Sequence, residues 1–474
     1  MQIQLLSVII IKNIRYRGTA VFEKYLSVID INANEIYEVA DSIYDNPETN
    51  FKEFKAVEFL KASLKKHGFK IEDNIVGIPT AFKATFGEGK PHLGVLAEYD
   101  GLAGKSQVGG APNEETIEGK NTNHGCGHNL FAGGSLAAVL AVKEFIKETG
   151  KGKVTFFGCP AEEGGGGKVF MARDGAFNGV DAIVSHHPES MYMVRTRPAL
   201  ASITKDYIFT GVASHAGAAP HKGRSALDAV ELMNIGANYL REHMELTSRV
   251  HYAIVDGGGI APNIVQARAV VRYMVRAVDK DSLEKLIKRV DKIAEGASLM
   301  TETSLNSKLL SVYSNLITIP TLQAVANESM HDVELPIPTK EEITYGKKLQ
   351  LSMGLDQKVL DEEYPFSMQV LDPAPPVAHG GSTDTADVSW VCPTVQMHIG
   401  NWVKGTPGHS WQSASQSKGT YAKRAMLYAG KAVAGTIIRL FENPELVEQA
   451  KIEHFKKTGG SYECLLPKDL KPLQ

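Results

Sequence analysis

Three short apolar runs, each ending in a cluster of polar donors, constrain this chain more than any other feature. Leu93-Gly94-Val95-Leu96-Ala97 ends in Glu98-Tyr99-Asp100-Gly101. Val154-Thr155-Phe156-Phe157-Gly158 ends in Cys159-Pro160-Ala161-Glu162-Glu163, followed by glycines 164 to 167. Ala182-Ile183-Val184-Ser185 ends in His186-His187-Pro188. Runs this short and apolar read as buried strands. An Ala-rich helix from Leu130 to Thr149 lies between the first two, its small residues suited to close packing on a sheet. A shorter helix, from about Lys168 to Asp174, lies between the second and third. This rhythm predicts a mostly parallel, doubly wound sheet. Such sheets bind ligands past the carboxyl ends of their strands, so the clusters are expected to share one site.

A further group, His124-Gly125-Cys126-Gly127-His128-Asn129, precedes the Ala-rich helix. Donors this dense match metal ligation, but a Gly-rich turn with two histidines and a buried thiol has the same letters. The choice depends on ligands from elsewhere in the chain.

The N-terminal part, residues 31 to 68, reads as amphipathic helices broken at Asn46-Pro47, and residues 69 to 86 as one or two strands. Near residue 198 the rhythm changes. Ile203 to Ala213, Val250 to Val255, Ala267 to Ala277 and Thr301 to Tyr313 read as strands, with helices over Ser225 to His243 and Ser282 to Met300. The order β-α-β-β-α-β is the ferredoxin-like pattern and marks an inserted domain. The expected division is 22–198 and 316–474 for one domain and 199–315 for the insertion. In the last part, Val391 to Ile399 reads as a strand and Lys418 to Phe441 as a long closing helix.

A chain of 474 residues with 51 basic and 54 acidic side chains has a net charge of −3, which argues against nucleic acid or an anionic membrane as the main partner. Its four cysteines are scattered, so no disulfide framework is expected and a reducing cytoplasm is the simplest setting. The apolar run Leu5 to Ile11 is too short to span a bilayer and lacks signal-peptide flanks. No later stretch is expected to reach transmembrane length.

Glu98, Asp100, Cys126, His128, Glu162, Glu163, His187 and the distant His409 are expected to gather at the sheet edge. Of two adjacent glutamates, one can bind metal while the other stays free as a base. That split serves metal-assisted hydrolysis, in which a cation polarises a carbonyl and a carboxylate moves the water's proton. So many N, O and S donors suggest two ions sharing a bridging water. A closed structural zinc site would prefer paired cysteines, and no CxxC is present. The glycine run lacks the Lys-Ser/Thr of a phosphate loop. Alone, Glu162-Glu163 could be a solvated loop and His409 a turn residue.

The set His-Gly-Cys-Gly-His-Asn (124–129), Cys-Pro-Ala-Glu-Glu-Gly-Gly (159–165), His-His-Pro (186–188), Ser-His-Ala-Gly (214–217) and Gly-Thr-Pro-Gly-His-Ser-Trp-Gln (405–412) resembles the dinuclear metallopeptidase family of aminoacylases, carboxypeptidase G and plant auxin-conjugate amidohydrolases. The resemblance runs from about residue 30 to near the end. It implies an α/β catalytic domain of the zinc-exopeptidase type, with a mixed, mostly parallel sheet, and a ferredoxin-like α+β lid and dimerisation domain. It implies Cys126, His128, Glu163, His187 and His409 as metal ligands, Glu162 as general base and Asp100 as the aspartate that orients the site. Many relatives have a histidine where this chain has Glu98, which leaves the role of Glu98 open. In the insertion, His215 matches a histidine that reaches across the dimer to the substrate, and Asn263 and Arg276 match contacts to the substrate carboxylate. For Arg276, an ion pair on the strand face is the competing reading. The implied cofactors are two divalent ions, Mn or Zn, the single thiolate leaning towards Zn. The implied reaction is cleavage of an N-acyl amino acid amide, with p-aminobenzoyl-glutamate as substrate. The alternatives are a dipeptidase, an N-acyl-amino-acid deacylase, or a weakly active member of a hetero-oligomer. The implied assembly is a homodimer, or a heterodimer with a related chain.

Overall fold

A computed structural model describes residues 19 to 373 and 381 to 472; the apolar run after Met1 lies outside the described residues. The chain opens with helices α1 (Thr19–Ile31), α2 (Ala33–Asp45) and α3 (Phe54–Lys66). Asn46, restricted by Pro47, leaves the helical region at ψ 63° and ends α2. Then come β1 (Lys70–Asp73), β2 (Phe82–Gly87), β3 (His92–Glu98), and a short ladder of β4 (Leu102–Ala103) with β5 (Thr122–Asn123). Next are α4 (His128–Thr149), β6 (Lys153–Cys159), α5 (Gly167–Arg173), β7 (Ala182–Glu189) and β8 (Tyr192–Val194).

The insertion runs β9 (Ala201–Thr210), α6 (Ala226–Leu240), β10 (Arg249–Asp256), β11 (Arg268–Ala277), α7 (Lys280–Thr301) and β12 (Ser304–Tyr313). Its sheet order β10-β11-β9-β12, antiparallel throughout, is the ferredoxin-like arrangement. Where the chain leaves it, Ser314 is fixed: its N–H and hydroxyl both donate to Asp387, at 3.0 and 2.8 Å.

The remainder forms α8 (Pro320–His331), α9 (Lys340–Ser352), α10 (Gln357–Leu360), β13 (Val370–Leu371), α11 (Thr385–Val391), β14 (Thr394–Gly400), α12 (Trp411–Gln416), α13 (Thr420–Glu442) and α14 (Pro444–Thr458). One sequence expectation is corrected here. Val391 closes helix α11 instead of opening a strand, because Pro393 disfavours helical backbone at Cys392 and the strand starts only at Thr394.

The large sheet has the order β1-β2-β6-β3-β7-β14-β8-β13. Its centre, β6-β3-β7-β14, is parallel, and β1, β2 and β8 add antiparallel pairings at the sides. From Leu93 to Glu98 β3 is wholly buried, as a strand covered on both faces must be.

Helix α4 corrects a second expectation. At 22 residues it is long and apolar enough to cross a membrane, yet it is buried inside the fold. Its small residues meet α13 as well as the sheet. A Cβ on Gly430 of α13 would lie 2.5 Å from Ala137 Cβ and 3.1 Å from the Gly134 carbonyl oxygen. Backbone cannot yield as a flexible side chain can. Gly430→Ala should therefore cost about 1–3 kcal/mol of stability, read as a lowered midpoint in thermal denaturation; an unchanged midpoint would show that the two helices are not in such close contact.

Candidate active site

Because β3, β6, β7 and β14 run parallel, their carboxyl ends open on one edge. The turn after β6 is tight. Ala161 takes a left-handed backbone, φ 56°, and its carbonyl accepts from Gly165 and Gly166 at 3.0 and 2.8 Å. A Cβ on Gly167 would lie 2.0 Å from the Pro160 carbonyl oxygen, so this glycine is needed for packing. His409 is also left-handed, at φ 60°. Non-glycine residues persist in such conformations only where their surroundings enforce them. Here the enforcement is visible: His409 N–H donates to the Gly125 carbonyl at 3.3 Å and Ser413 Oγ donates to the same oxygen at 2.7 Å. The loop before α12 is thereby tied to the turn that carries Cys126.

The donors converge. Cys126 Sγ lies 3.6 Å from His187 Nε2, and Cys126, His128 and His187 offer ligand atoms within 4.8 Å of one another. Cys126, Glu163 and His409 do the same, so the thiol belongs to both sets. Two of the three histidines are held by their other nitrogen. Nδ1 of His187 lies 2.8 Å from the Pro188 carbonyl oxygen, and Nδ1 of His128 lies 2.8 Å from Asp100 Oδ1. For His187 the contact places the ring proton on Nδ1 and leaves Nε2 as a donor to a metal, whereas at His128 Cys126 and then Asp100 more than offset burial and push the ring well up. Burial lowers His187 to about 4, which keeps the ring neutral, as a ligand must be. Asp100 also accepts from the Glu163 N–H through Oδ2, at 2.9 Å. Both oxygens of Asp100 are thereby occupied.

His128 Nε2 and Glu163 Oε1 are buried and make no hydrogen bond among the described residues, although Glu98 Oε2 lies 3.1 Å from the first and His409 Nε2 3.5 Å from the second. Orphaned polar atoms cost about 1–3 kcal/mol each unless something satisfies them. The Cys126 thiol is pushed well up, by burial and then by Glu163, so a thiolate here needs a cation beside it. On both counts the donor set fits divalent metal.

The neighbouring histidines are accounted for differently. His186, pointing to the other face of β7, packs 4.8 Å from the Phe131 ring, and burial lowers it to about 3. His124 is buried with Nε2 3.1 Å from the Ile43 carbonyl oxygen. Neither belongs to the donor sets.

Glu162 faces the same cavity as Cys126, Glu163, His187 and His409, a space of about 590 Å³. Burial, then the charges of Glu98, Asp384 and Glu163, push its carboxyl well up. A carboxyl tuned upward can both take and return a proton.

Behind it lies a group that sequence reasoning missed. The Lys168 ammonium is fully buried, 2.7 Å from Glu98 Oε1 and 2.6 Å from Asp384 Oδ1. Lys168 N–H also donates to Asp384 Oδ2 at 2.9 Å. Burial raises Glu98, but Lys168 and then His128 more than offset it and hold the carboxylate ionised. Its other oxygen lies 3.1 Å from His128 Nε2, so Glu98 joins the lysine to the donor set. The only signals in sequence were a lysine after a glycine run and the Ser-Thr-Asp triplet 382–384.

The residues expected from the insertion stand apart. His215 and Asn263 are exposed neighbours: Ala216 N–H donates to the Asn263 carbonyl at 2.9 Å, and His215 Nδ1 accepts from Gly217 and Ala218 at 3.1 and 3.0 Å. Arg276 sits on β11 opposite Arg249 and Ser202, with Nη2 3.1 Å from Met274 Sδ. None of these three lines the cavity. Its further lining comes from Arg195, Gln396, His398 and Trp402, which sequence reasoning also missed.

Residues 201 to 299 match the family model described as a peptidase dimerisation domain. One of the named subunits of the p-aminobenzoyl-glutamate hydrolase of Escherichia coli (strain K12) is 38% identical over 466 residues, covering 94% of this chain and 97% of that one. The Xaa-Arg dipeptidase of Mus musculus is 28% identical, covering 90% of each chain. A dinuclear metal-binding peptidase of the M20 family from Bacillus subtilis shares the fold, with a TM-score of 0.57 at 17% identity over 86% of this chain and 99% of that one. Fold, donor set and relatives together define a metallohydrolase that acts on amide bonds, with N-acyl amino acids as its substrate class. Within that class, the chain belongs to the family of the E. coli p-aminobenzoyl-glutamate hydrolase subunit.

Removing the buried cation tests its structural part. Lys168→Met leaves Glu98 and Asp384 without a counter-charge, an expected loss of about 3–5 kcal/mol. Both carboxyls would then titrate above their unfolded values. Protonation would favour the fold, and the loss should shrink as the pH falls from about 8 to about 5. Urea denaturation of both proteins at both pH values measures this; a deficit independent of pH contradicts the ion-pair account.

Proposed function

We propose that the protein hydrolyses p-aminobenzoyl-glutamate to p-aminobenzoate and glutamate, using two divalent ions, Mn or Zn. The observation that supports this reading most is the convergence of Cys126, His128, Glu163, His187 and His409 on two overlapping donor sets, with Glu162, Glu98 and His128 forming a third group next to them. Cys126, His128 and His187 would hold one ion, and Cys126, Glu163 and His409 the other. When bound, such ions lower the pKa of water and polarise the amide carbonyl. Glu162 takes the proton of the attacking water and returns it to the leaving amine. Asp100 keeps His128 and the Glu163 backbone in place, and Lys168 keeps Glu98 charged against His128. In the assembly, His215 reaches a neighbouring protomer's substrate from its exposed position, and Asn263 and Arg276 contact the substrate carboxylate. The related E. coli protein is by name one subunit of its hydrolase, which supports pairing with a second, related chain. A reducing cytoplasm would keep the shared thiol intact.

Two measurements check this reading. Glu162→Gln should lower kcat on p-aminobenzoyl-glutamate by roughly 10²–10⁴-fold while the metal content stays at the wild-type level. Dialysis against a chelator should abolish activity, and added Mn or Zn should restore it. Turnover by the Glu162→Gln protein at the wild-type rate would remove Glu162 from its role, and chelator-resistant activity would remove the metals.

A further inference from the structure

We propose that Arg195 and Arg197 form a subsite for a second carboxylate, on the side chain of the substrate's amino acid, and so select acidic amino acids. The proposal rests on the N-acyl amino acid reading of the site and assigns its specificity. Both arginines line the cavity that holds Glu162 and His409. Arg195 follows the short strand β8 and is half-buried, and its guanidinium is fixed from within the fold. Its Nη1 donates to Gln396 Oε1 at 2.8 Å, and its Nε donates to the Arg197 carbonyl at 3.3 Å. Its backbone N–H donates to the Gln396 carbonyl at 2.9 Å. Nη2 has no protein partner among the described residues.

No carboxylate lies within 4.0 Å of either guanidinium among the described residues. Glu189 shares the cavity but stays outside that range. Half-buried arginines are ordinarily paired, since an unpaired guanidinium loses hydration without return. A fixed, planar guanidinium with Nη2 free and no carboxylate within ion-pair range is suited to a substrate carboxylate. Met191, Met193 and Trp402 add apolar lining, and Glu162, Glu163 and Glu189 are the carboxyls of the same cavity.

The same feature separates two readings of the family. An arginyl side chain, as in the name of the Xaa-Arg dipeptidase relative, would meet like charge here. A glutamyl side chain would meet a preformed partner.

Metal-loaded enzyme is assayed on p-aminobenzoyl-glutamate, on its glutamine analogue and on an N-acyl arginine. A charge-assisted fork predicts a glutamate-over-glutamine ratio in kcat/KM of about 10² and no detectable arginine turnover. Arg195→Gln should reduce that ratio to below about 10, and Arg197→Gln should reduce it less. Equal losses on both substrates, or a ratio unchanged in Arg195→Gln, would overturn the proposal. If the wild type hydrolyses neither substrate, the functional reading fails, and the subsite is tested by calorimetry on the Glu162→Gln protein. Tighter binding of the glutamate compound, lost in Glu162→Gln/Arg195→Gln, upholds it. Equal affinity for both compounds overturns it.

Discussion

The site depends on one buried charge. Lys168 sits at the start of α5 with its ammonium between Glu98, from the end of β3, and Asp384, at the start of α11. Taking an ammonium out of water costs several kcal/mol, and only well-placed counter-charges offset that. Two carboxylates from segments nearly 290 residues apart supply them. The return is positional. Glu98, held by the lysine, presents its second oxygen to His128, and Asp384 fixes the backbone where α5 begins, four residues after Glu163.

A second layer works on the ligands. Asp100 holds the ring of His128 with one oxygen and the backbone of Glu163 with the other, so two donors are oriented by one side chain. The Gly125 carbonyl does similar service for the distant His409 loop. Left-handed backbone at Ala161 and His409 is the conformational cost of presenting adjacent glutamates and a late histidine to the same space. Residues aimed at a common point with orphaned donor atoms lose stability as a bare protein and gain it when a cation binds.

Much of this was legible in the chain. Strand ends were marked by apolar runs stopping at polar clusters, and the parallel sheet placed those clusters on one edge. The ferredoxin-like order of the insertion followed from the spacing of strands and helices alone. What could not be read was contact between distant segments. Lys168 looked like the first residue of an ordinary helix, and Asp384 like part of a loop. Arg195 and Gln396 are paired through β14, and no local pattern announces a partner two hundred residues away. Val391 was misplaced because the apolar stretch before Pro393 fits a strand as well as a short buried helix. Helix α4 was underestimated because its apolar length is interrupted by small residues that look neutral in sequence but serve the crossing with α13. The insertion's His215 and Asn263 were recognisable by motif, yet their exposed position has meaning only in an assembly.

The central claim is that Cys126 belongs to a site for divalent metal. X-ray absorption at the metal edge of zinc-loaded protein, combined with elemental analysis, tests it most directly. The account predicts two ions per chain and a sulfur neighbour at about 2.3 Å, with the sulfur signal lost in Cys126→Ser. One ion per chain, or a metal environment with no sulfur, would contradict it.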